Sequence, residues 1–124
     1  MVVRHQDERP APDPGGLQDR LDRVFRALAH SIRRDILRRT LLGPVSVSGL
    51  ALTYAMSFAA VQKHVAVLEE AGLVQKEAVG RERFVRAVPE EIARARACLD
   101  QLEALWRHRL TALDAVLTQT PQEE

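Results

Sequence analysis

Two helical patterns lie only two residues apart, and this spacing requires a tight turn between two packed helices. The first pattern is short, beginning at Ser46 and placing apolar residues on one side as far as Tyr54. Ala55-Met56 fills the gap, and the side-chain oxygen of Ser57 is suited to cap the second helix. That helix ends at Gly72, a residue type that commonly follows a last helical turn. Its inward-facing residues are Val61, Val65, Leu68 and Ala71.

Two further helical patterns precede this pair. Apolar residues at helical spacing predict helices over residues 17–28 and 32–41. Ser31 is the expected N-cap of the second helix, and Gly43-Pro44 ends it because proline disfavours helix in the residue before it. Residues 1–16 are rich in proline, glycine and charge without an apolar period, which predicts a disordered N-terminal arm.

A hairpin and a long helix complete the chain. Two valine-containing runs, Leu73–Val79 and Glu82–Val88, predict a β-hairpin with Gly80-Arg81 at its turn. Pro89 suits the first turn of the final helix. This order of elements predicts a mainly α fold with a small β-hairpin wing, the winged helix-turn-helix arrangement. The domain is predicted to span residues 17–118.

The last helix, predicted over about residues 90–118 and followed by a flexible tail at 119–124, carries a long apolar seam. Six large side chains are spaced by 3, 4, 4, 3 and 4 residues, which is typical of helices that pair along their length. The seam exceeds what one small core needs and favours a homodimer, with packing on its own domain as the alternative. These residues are Leu99, Leu102, Trp106, Leu110, Leu113 and Leu117.

The exposed face of the helix after the tight turn is suited to DNA. Its first turns combine small side chains with Gln62, Lys63 and His64, and no acidic residue occurs from Phe58 to Leu68. Small residues allow close approach to a groove, glutamine pairs with adenine, and lysine reaches guanine or phosphate. The alternative is an ordinary solvated helix face. The candidate DNA-reading residues are Ser57, Phe58, Ala59, Ala60, Gln62, Lys63 and His64.

The charge distribution supports a polyanionic partner. The net charge is only +1, but residues 20–39 hold seven arginines against two aspartates, whereas residues 89–124 hold four arginines against seven acids. Such an asymmetry favours one basic face. Arg33 and Arg34 on the second helix, and Arg81 and Arg83 at the hairpin tip, are the candidate phosphate contacts.

Four segments resemble the ArsR-type winged-helix repressors. Residues 21–37 resemble the opening helices of that family, and residues 56–74 resemble its recognition helix and the exit into the wing. Gly80–Phe84 and Leu105–Leu113 resemble the wing and dimer helix of a metal-independent branch. The resemblance implies a homodimeric, promoter-binding repressor of its own operon, with Ser57 to His64 in the major groove. It also implies a dimer formed by the first and last helices, including Leu17 and Leu21.

The sequence departs from the metal-sensing members of that family. Ser46 and Ser48 occupy the positions of their Cys-x-Cys pair, and the last helix offers Asp100 and His108 without a closely spaced histidine pair. We therefore predict no metal and no cofactor, while the effector stays undetermined. A pocket for a small apolar ligand between the first and last helices is left open. Cys98, beside the apolar seam, is interpreted as a packing residue.

Composition narrows the remaining alternatives. Aromatic residues make up only 4%, which disfavours a base-stacking platform for single strands. One cysteine, no membrane-length apolar run and no signal-peptide core predict a cytoplasmic protein. An enzyme is disfavoured because no phosphate-binding glycine loop or nucleophile–base set is present. A protein-interaction module, using the last helix to scaffold another regulator, is the main alternative to a DNA-binding regulator.

Overall fold

A computed structural model describes residues 16–119 of the chain. Residues 1–15 and 120–124, which hold nearly all of the predicted arm and tail, lie outside the described residues. The elements in chain order are α1 (Leu17–Leu28), α2 (Ser31–Leu41), β1 (Val45–Ser46), α3 (Val47–Tyr54), α4 (Phe58–Glu70), β2 (Val74–Val79), β3 (Glu82–Ala87) and α5 (Glu90–Gln119). This is the predicted mainly helical, winged helix-turn-helix fold.

The wing is a three-stranded antiparallel sheet rather than a two-stranded hairpin. The predicted hairpin is present, with Val74 opposite Ala87 and Val79 opposite Glu82. The two-residue β1, which the sequence analysis missed, pairs with the other edge of β3 by placing Val45 opposite Val85. The strand order is therefore β1-β3-β2, and the sheet connects the start of α3 to the wing.

One hydrophobic core lies between the first four helices, the sheet and the start of α5. The first four helices each contribute buried residues from one apolar side, α5 contributes Ala95, and the sheet contributes Val74 and Val85. Burying side chains of this size is the main favourable contribution to folding, at about 1.5–3 kcal/mol for each Val, Leu or Ile. The fully buried members of this core are Val24, Ile36, Val47, Val61, Val65, Leu68, Leu73, Val74 and Val85.

Helix boundaries follow from identifiable caps. The Ser46 and Ser57 side chains accept hydrogen bonds from the Gly49 and Ala60 amides, at 3.0 and 3.1 Å, as serine N-caps do. For α2, however, the expected cap Ser31 is wrong. Ser31 is the first helical residue, and the preceding His30 is the N-cap, with its Nδ1 accepting from the Ile32 amide at 3.1 Å.

The first and last helices are joined through Glu91. Its Oε2 accepts hydrogen bonds from Arg20 on α1 at 2.8 Å and from Arg94 on α5 at 2.6 Å. Beyond this junction α5 leaves the core, and all its described side chains from Leu99 to Thr118 are exposed. None of the helices between residues 16 and 119 is both long enough and apolar enough to cross a bilayer.

Candidate nucleic-acid interface

The turn before α4 is closed by the backbone alone. The Ala55 amide donates to the Leu52 carbonyl at 3.3 Å and the Met56 amide to the Ala51 carbonyl at 3.0 Å, the bonding pattern of a Schellman motif. Ala55 adopts a left-handed conformation, with φ +53°, in a position where glycine is usual. The turn thus sets the direction of α4 without glycine, at the cost of backbone strain.

Replacing Ala55 with glycine is expected to stabilise the protein by up to about 1 kcal/mol. The left-handed conformation costs an L-residue roughly 1–2 kcal/mol, whereas glycine loses roughly 0.5–1 kcal/mol through the greater freedom of its unfolded chain. Urea unfolding measures the difference. As the matched control, Ala66→Gly on the exposed face of α4 should instead destabilise by about 0.5–1 kcal/mol. Destabilisation by both variants would contradict the strained turn.

The predicted reading residues of α4 lie on the side opposite its buried stripe. Ser57, Phe58, Ala59 and Lys63 are exposed, and Ala60, Gln62 and His64 are half-buried, whereas Val61, Val65 and Leu68 are inaccessible. From Phe58 to Leu68 the helix therefore presents a face that begins with small side chains and holds no carboxylate, whereas the exposed Glu69 and Glu70 form its end. Phe58 is the large apolar member, with 47% of its surface exposed.

The hairpin tip supplies a second basic point. Gly80 has φ +64°, which permits the tight connection between β2 and β3. Arg81 and Arg83 are both exposed at this tip. They lie at the end of the wing, away from the core, where an arginine can reach a phosphate or a minor groove.

The other two candidate phosphate contacts have partners within the protein. Arg33 donates from Nε to the Ala27 carbonyl at 2.8 Å and from a terminal nitrogen to the Arg26 carbonyl at 3.1 Å. Arg34 donates to the Leu28 carbonyl at 2.8 Å. These carbonyls belong to the last turn of α1, whose acceptors have no helical donors. Both arginines thus hold the end of α1 onto the start of α2.

His64 belongs to a small cationic and aromatic cluster. Its Nδ1 lies 3.5 Å from a terminal nitrogen of Arg33, and its ring centroid lies 4.6 Å from that of His30. Partial burial lowers the pKa of His64, and the neighbouring His30 and Arg33 lower it further. His64 consequently faces the candidate interface as a neutral imidazole at neutral pH.

A second group, which the sequence analysis missed, fixes α3 onto α2. The Tyr54 hydroxyl donates to the Asp35 carboxylate, which also accepts from Arg38 and from Arg39, the latter at 2.8 Å. The Tyr54 hydroxyl, together with Arg39 and Arg38, holds the pKa of Asp35 far below its usual range. Because α3 precedes the tight turn, this contact supports the orientation of α4. The i, i+3 and i, i+4 spacing of Asp35 with Arg38 and Arg39 was a local signal, but its partner Tyr54 gave none.

The predicted dimer residues fall into two groups. Leu17 on α1 and the six seam residues of α5 expose 45–61% of their surface, so an unpartnered apolar face runs along α5. Leu21 differs, because its own protomer already buries it to 7% exposure. It offers little surface to a partner.

Two features of the described residues concern a bound effector: the placement of potential metal ligands and a pocket between two helices. Between residues 16 and 119, no three His, Cys, Asp or Glu side chains are placed to hold a metal ion. An open pocket of about 360 Å³ lies between α1 and α5, lined by Leu17, Leu21, Arg94, Cys98 and neighbouring residues. Cys98 is partly exposed there.

Known proteins are similar to this chain in sequence and in fold. No protein-family model matches the chain. It is 37% identical over 90 residues, covering 73% of this chain and 81% of the relative, to the HTH-type transcriptional regulator Rv2034 of Mycobacterium tuberculosis.

Two solved structures extend the comparison. An ArsR-like transcriptional regulator from Rhodococcus sp. RHA1 is 33% identical, with a TM-score of 0.69 over 80% of this chain and 93% of that one. The homodimeric winged helix-turn-helix DNA-binding domain Mb0332 from Mycobacterium bovis, a possible ArsR-family regulator, is 25% identical. Its TM-score is 0.60, over 78% of this chain and 90% of that one.

Proposed function

Since this chain belongs to the ArsR family of winged helix-turn-helix transcriptional regulators, we propose that it is a homodimeric repressor of its own operon. It binds an inverted-repeat operator in double-stranded DNA and needs no metal effector. The observation that carries this proposal is the face of α4, which is exposed and free of acidic residues from Phe58 to Leu68. Its relatives are regulators rather than enzymes, and a promoter-binding role places it in the cytoplasm.

In the proposed complex, α4 lies in the major groove. Ser57, Ala59 and Ala60 allow the start of the helix to approach the base edges, and alanine methyls contact thymine methyls. Gln62 pairs with an adenine, and Lys63 reaches a guanine or a phosphate. Phe58 and His64 flank the reading residues 59–63 along the chain. Each good base contact contributes about 1–3 kcal/mol of discrimination.

The basic residues outside α4 supply affinity without sequence preference. Arg81 and Arg83 on the wing contact the backbone or minor groove, and Arg34 at the start of α2 offers a phosphate the guanidinium N–H groups that its bond to the Leu28 carbonyl leaves free. Such phosphate contacts position the protein on the duplex and make binding salt-dependent.

The dimer follows from the uncovered face of α5. Seven exposed large side chains, Leu17 among them, form an apolar surface of the kind that a second copy buries. The M. bovis relative is homodimeric, which supports the same assembly here. A two-fold dimer then places its two α4 helices about one DNA turn apart, roughly 34–36 Å.

The proposed independence from metal is supported by Ser46, which caps α3, and Ser48, which lies in its first turn. Ser46, at a position where the metal-sensing members of the family carry cysteine, uses its hydroxyl to cap α3. Ser48, at the other such position, is exposed. Serine hydroxyls are poor substitutes for thiolates as ligands of soft metals.

Footprinting on the DNA upstream of the gene, with EDTA present, tests the proposal. We expect protection of two half-sites related by an inverted repeat, their centres one turn apart. Adding the protein to a transcription reaction from that promoter should lower the yield of transcript. Protection that requires a divalent metal would contradict the metal-independent part, and protection of a single half-site would contradict the dimer.

A second candidate function, a protein-interaction module, is favoured by a different observation. Leu42 and Leu52 each expose 84% of their surface, outside the α5 seam, in a nearly uncharged stretch of the chain. Such residues suit a protein partner. This alternative predicts no salt-sensitive binding to DNA, which separates it from the first.

A further inference from the structure

Arg33 on α2 contacts two other helices at once, α1 and α4. Its guanidinium donates to the Ala27 and Arg26 carbonyls at the end of α1, while another terminal nitrogen faces His64 on α4. Arg33 itself lies in the first turns of α2. The planar, forked geometry of arginine allows such simultaneous contacts, which the single ammonium of lysine does not reproduce. Arg33 is therefore placed as a link between α1 and the helix that faces DNA.

The link requires a neutral His64. The Arg33 nitrogen can donate to His64 only while Nδ1 of His64 carries no proton. Protonating this ring adds a positive charge beside a guanidinium and beside the imidazole of His30, and it occupies the accepting nitrogen.

The surrounding charges do not offset that cost. The cluster of His30, Arg33 and His64 adjoins Lys63 on α4 and the Arg26 and Ala27 carbonyls of α1. The Arg23 and Arg26 side chains of α1 line a cleft with Glu70 at the other end of α4. On the other elements packed against α4, α3 carries no charged residue and Lys76 of β2 is paired with Glu69. Within residues 16–119, no carboxylate forms a hydrogen bond or ion pair with His30, Arg33 or His64.

We infer that Arg33 is a positioning residue for α4, and that it sets the orientation of the DNA-reading helix only while His64 is neutral. The inference rests on the proposed function, because it concerns how α4 meets DNA. It changes the role of Arg33 from a phosphate contact to a support behind the helix. It also makes operator binding weaker in acid, whereas a protonated His64 that contacted phosphate would make binding stronger.

The test is operator affinity of the full chain, measured by fluorescence anisotropy from about pH 7.5 to about pH 5.5, which brackets the ordinary histidine pKa. We expect wild-type affinity to fall about threefold or more on acidification. In His64→Gln, whose amide oxygen accepts from Arg33 without titrating, that fall should be much reduced. Wild-type affinity that is constant or rises in acid would overturn the inference.

Salt dependence at neutral pH separates the two roles of Arg33. We expect Arg33→Gln to bind about tenfold more weakly with an unchanged slope of log affinity against log salt. The control Arg81→Gln removes a proposed phosphate contact from each copy of the dimer and should lower the slope by about 1.8. Arg33→Lys should fail to restore affinity. A reduced slope in Arg33→Gln together with rescue by lysine would overturn the positioning role.

An NMR titration of the free protein separates this inference from the proposed function. The pKa of His64 should lie below its ordinary value in wild type and rise towards it in Arg33→Gln. An ordinary His64 pKa in both proteins would overturn the link even if the protein binds DNA. Absence of operator binding at every pH would overturn the proposed function and the role of Arg33 in it, while the titration would still report whether the cluster forms.

Discussion

Replacing Leu110 with glutamate is expected to convert the protein to a monomer and to weaken operator binding by about a hundredfold or more. Leu110 lies in the middle of the exposed seam of α5. In a two-fold dimer the substitution introduces two buried carboxylates, one from each copy, and burying an unpaired charge costs several kcal/mol. A monomer contacts one half-site only, so it loses the gain from binding both half-sites together.

Sedimentation equilibrium measures the oligomeric state, and fluorescence anisotropy with operator DNA measures the affinity of the same samples. Ala115→Glu is the matched control, because it adds the same charge on the same helix about 140° around from Leu110. The control should remain dimeric and bind normally. A dimeric Leu110→Glu variant with wild-type affinity would show that the seam is not the interface.

Alanine at Gln62 or Lys63 is expected to lower specific operator affinity by about thirtyfold or more while leaving the dimer intact. Each side chain lies on the exposed face of α4, and each good base contact contributes about 1–3 kcal/mol. The dimer carries two copies of α4, so each substitution removes two such contacts, about 2–6 kcal/mol in all.

The slope of log affinity against log salt separates the two contacts proposed for Lys63. Gln62→Ala removes no charge and should keep the wild-type slope. Lys63→Ala should reduce the slope when Lys63 contacts a phosphate and keep it when Lys63 contacts only a guanine.

Affinity for the operator and for a scrambled duplex is the measurement, with Gln101→Ala as the control. Gln101 is exposed on α5 near α1, away from α4. Gln62→Ala should lose affinity for the operator but keep that for scrambled DNA. Equal operator binding by wild type and both α4 variants would remove the reading role from this helix.

The fold was predictable where local chemistry determines it. The serine caps of α3 and α4, the glycine at the hairpin turn and the apolar stripes each depend on residues within one or two turns. The missed features depend on contacts between distant segments. β1 has two residues, too few for a period, and exists because Val45 meets Val85. His30 replaced Ser31 as the cap through a backbone geometry that composition does not reveal.

The candidate site shows the same division. Exposure of Lys63 and burial of Val61 follow from helical periodicity, so the face of α4 was predictable. The partners of Arg33 were not, because they depend on how the end of α1 lies against α2. Leu21 has the same spacing as the dimer residues but is buried by its own protomer, which only the packing of α1 determines.

DNA reading by α4 and the wing is tested by fluorescence anisotropy of the purified wild-type protein on its own upstream DNA, with EDTA, over a range of salt concentrations. We expect binding at least about a thousandfold tighter than to a scrambled duplex. We also expect a linear fall of log affinity with log salt. Equal affinity for both duplexes, or binding without salt dependence, would contradict the assignment of α4 and the wing as a DNA-reading surface.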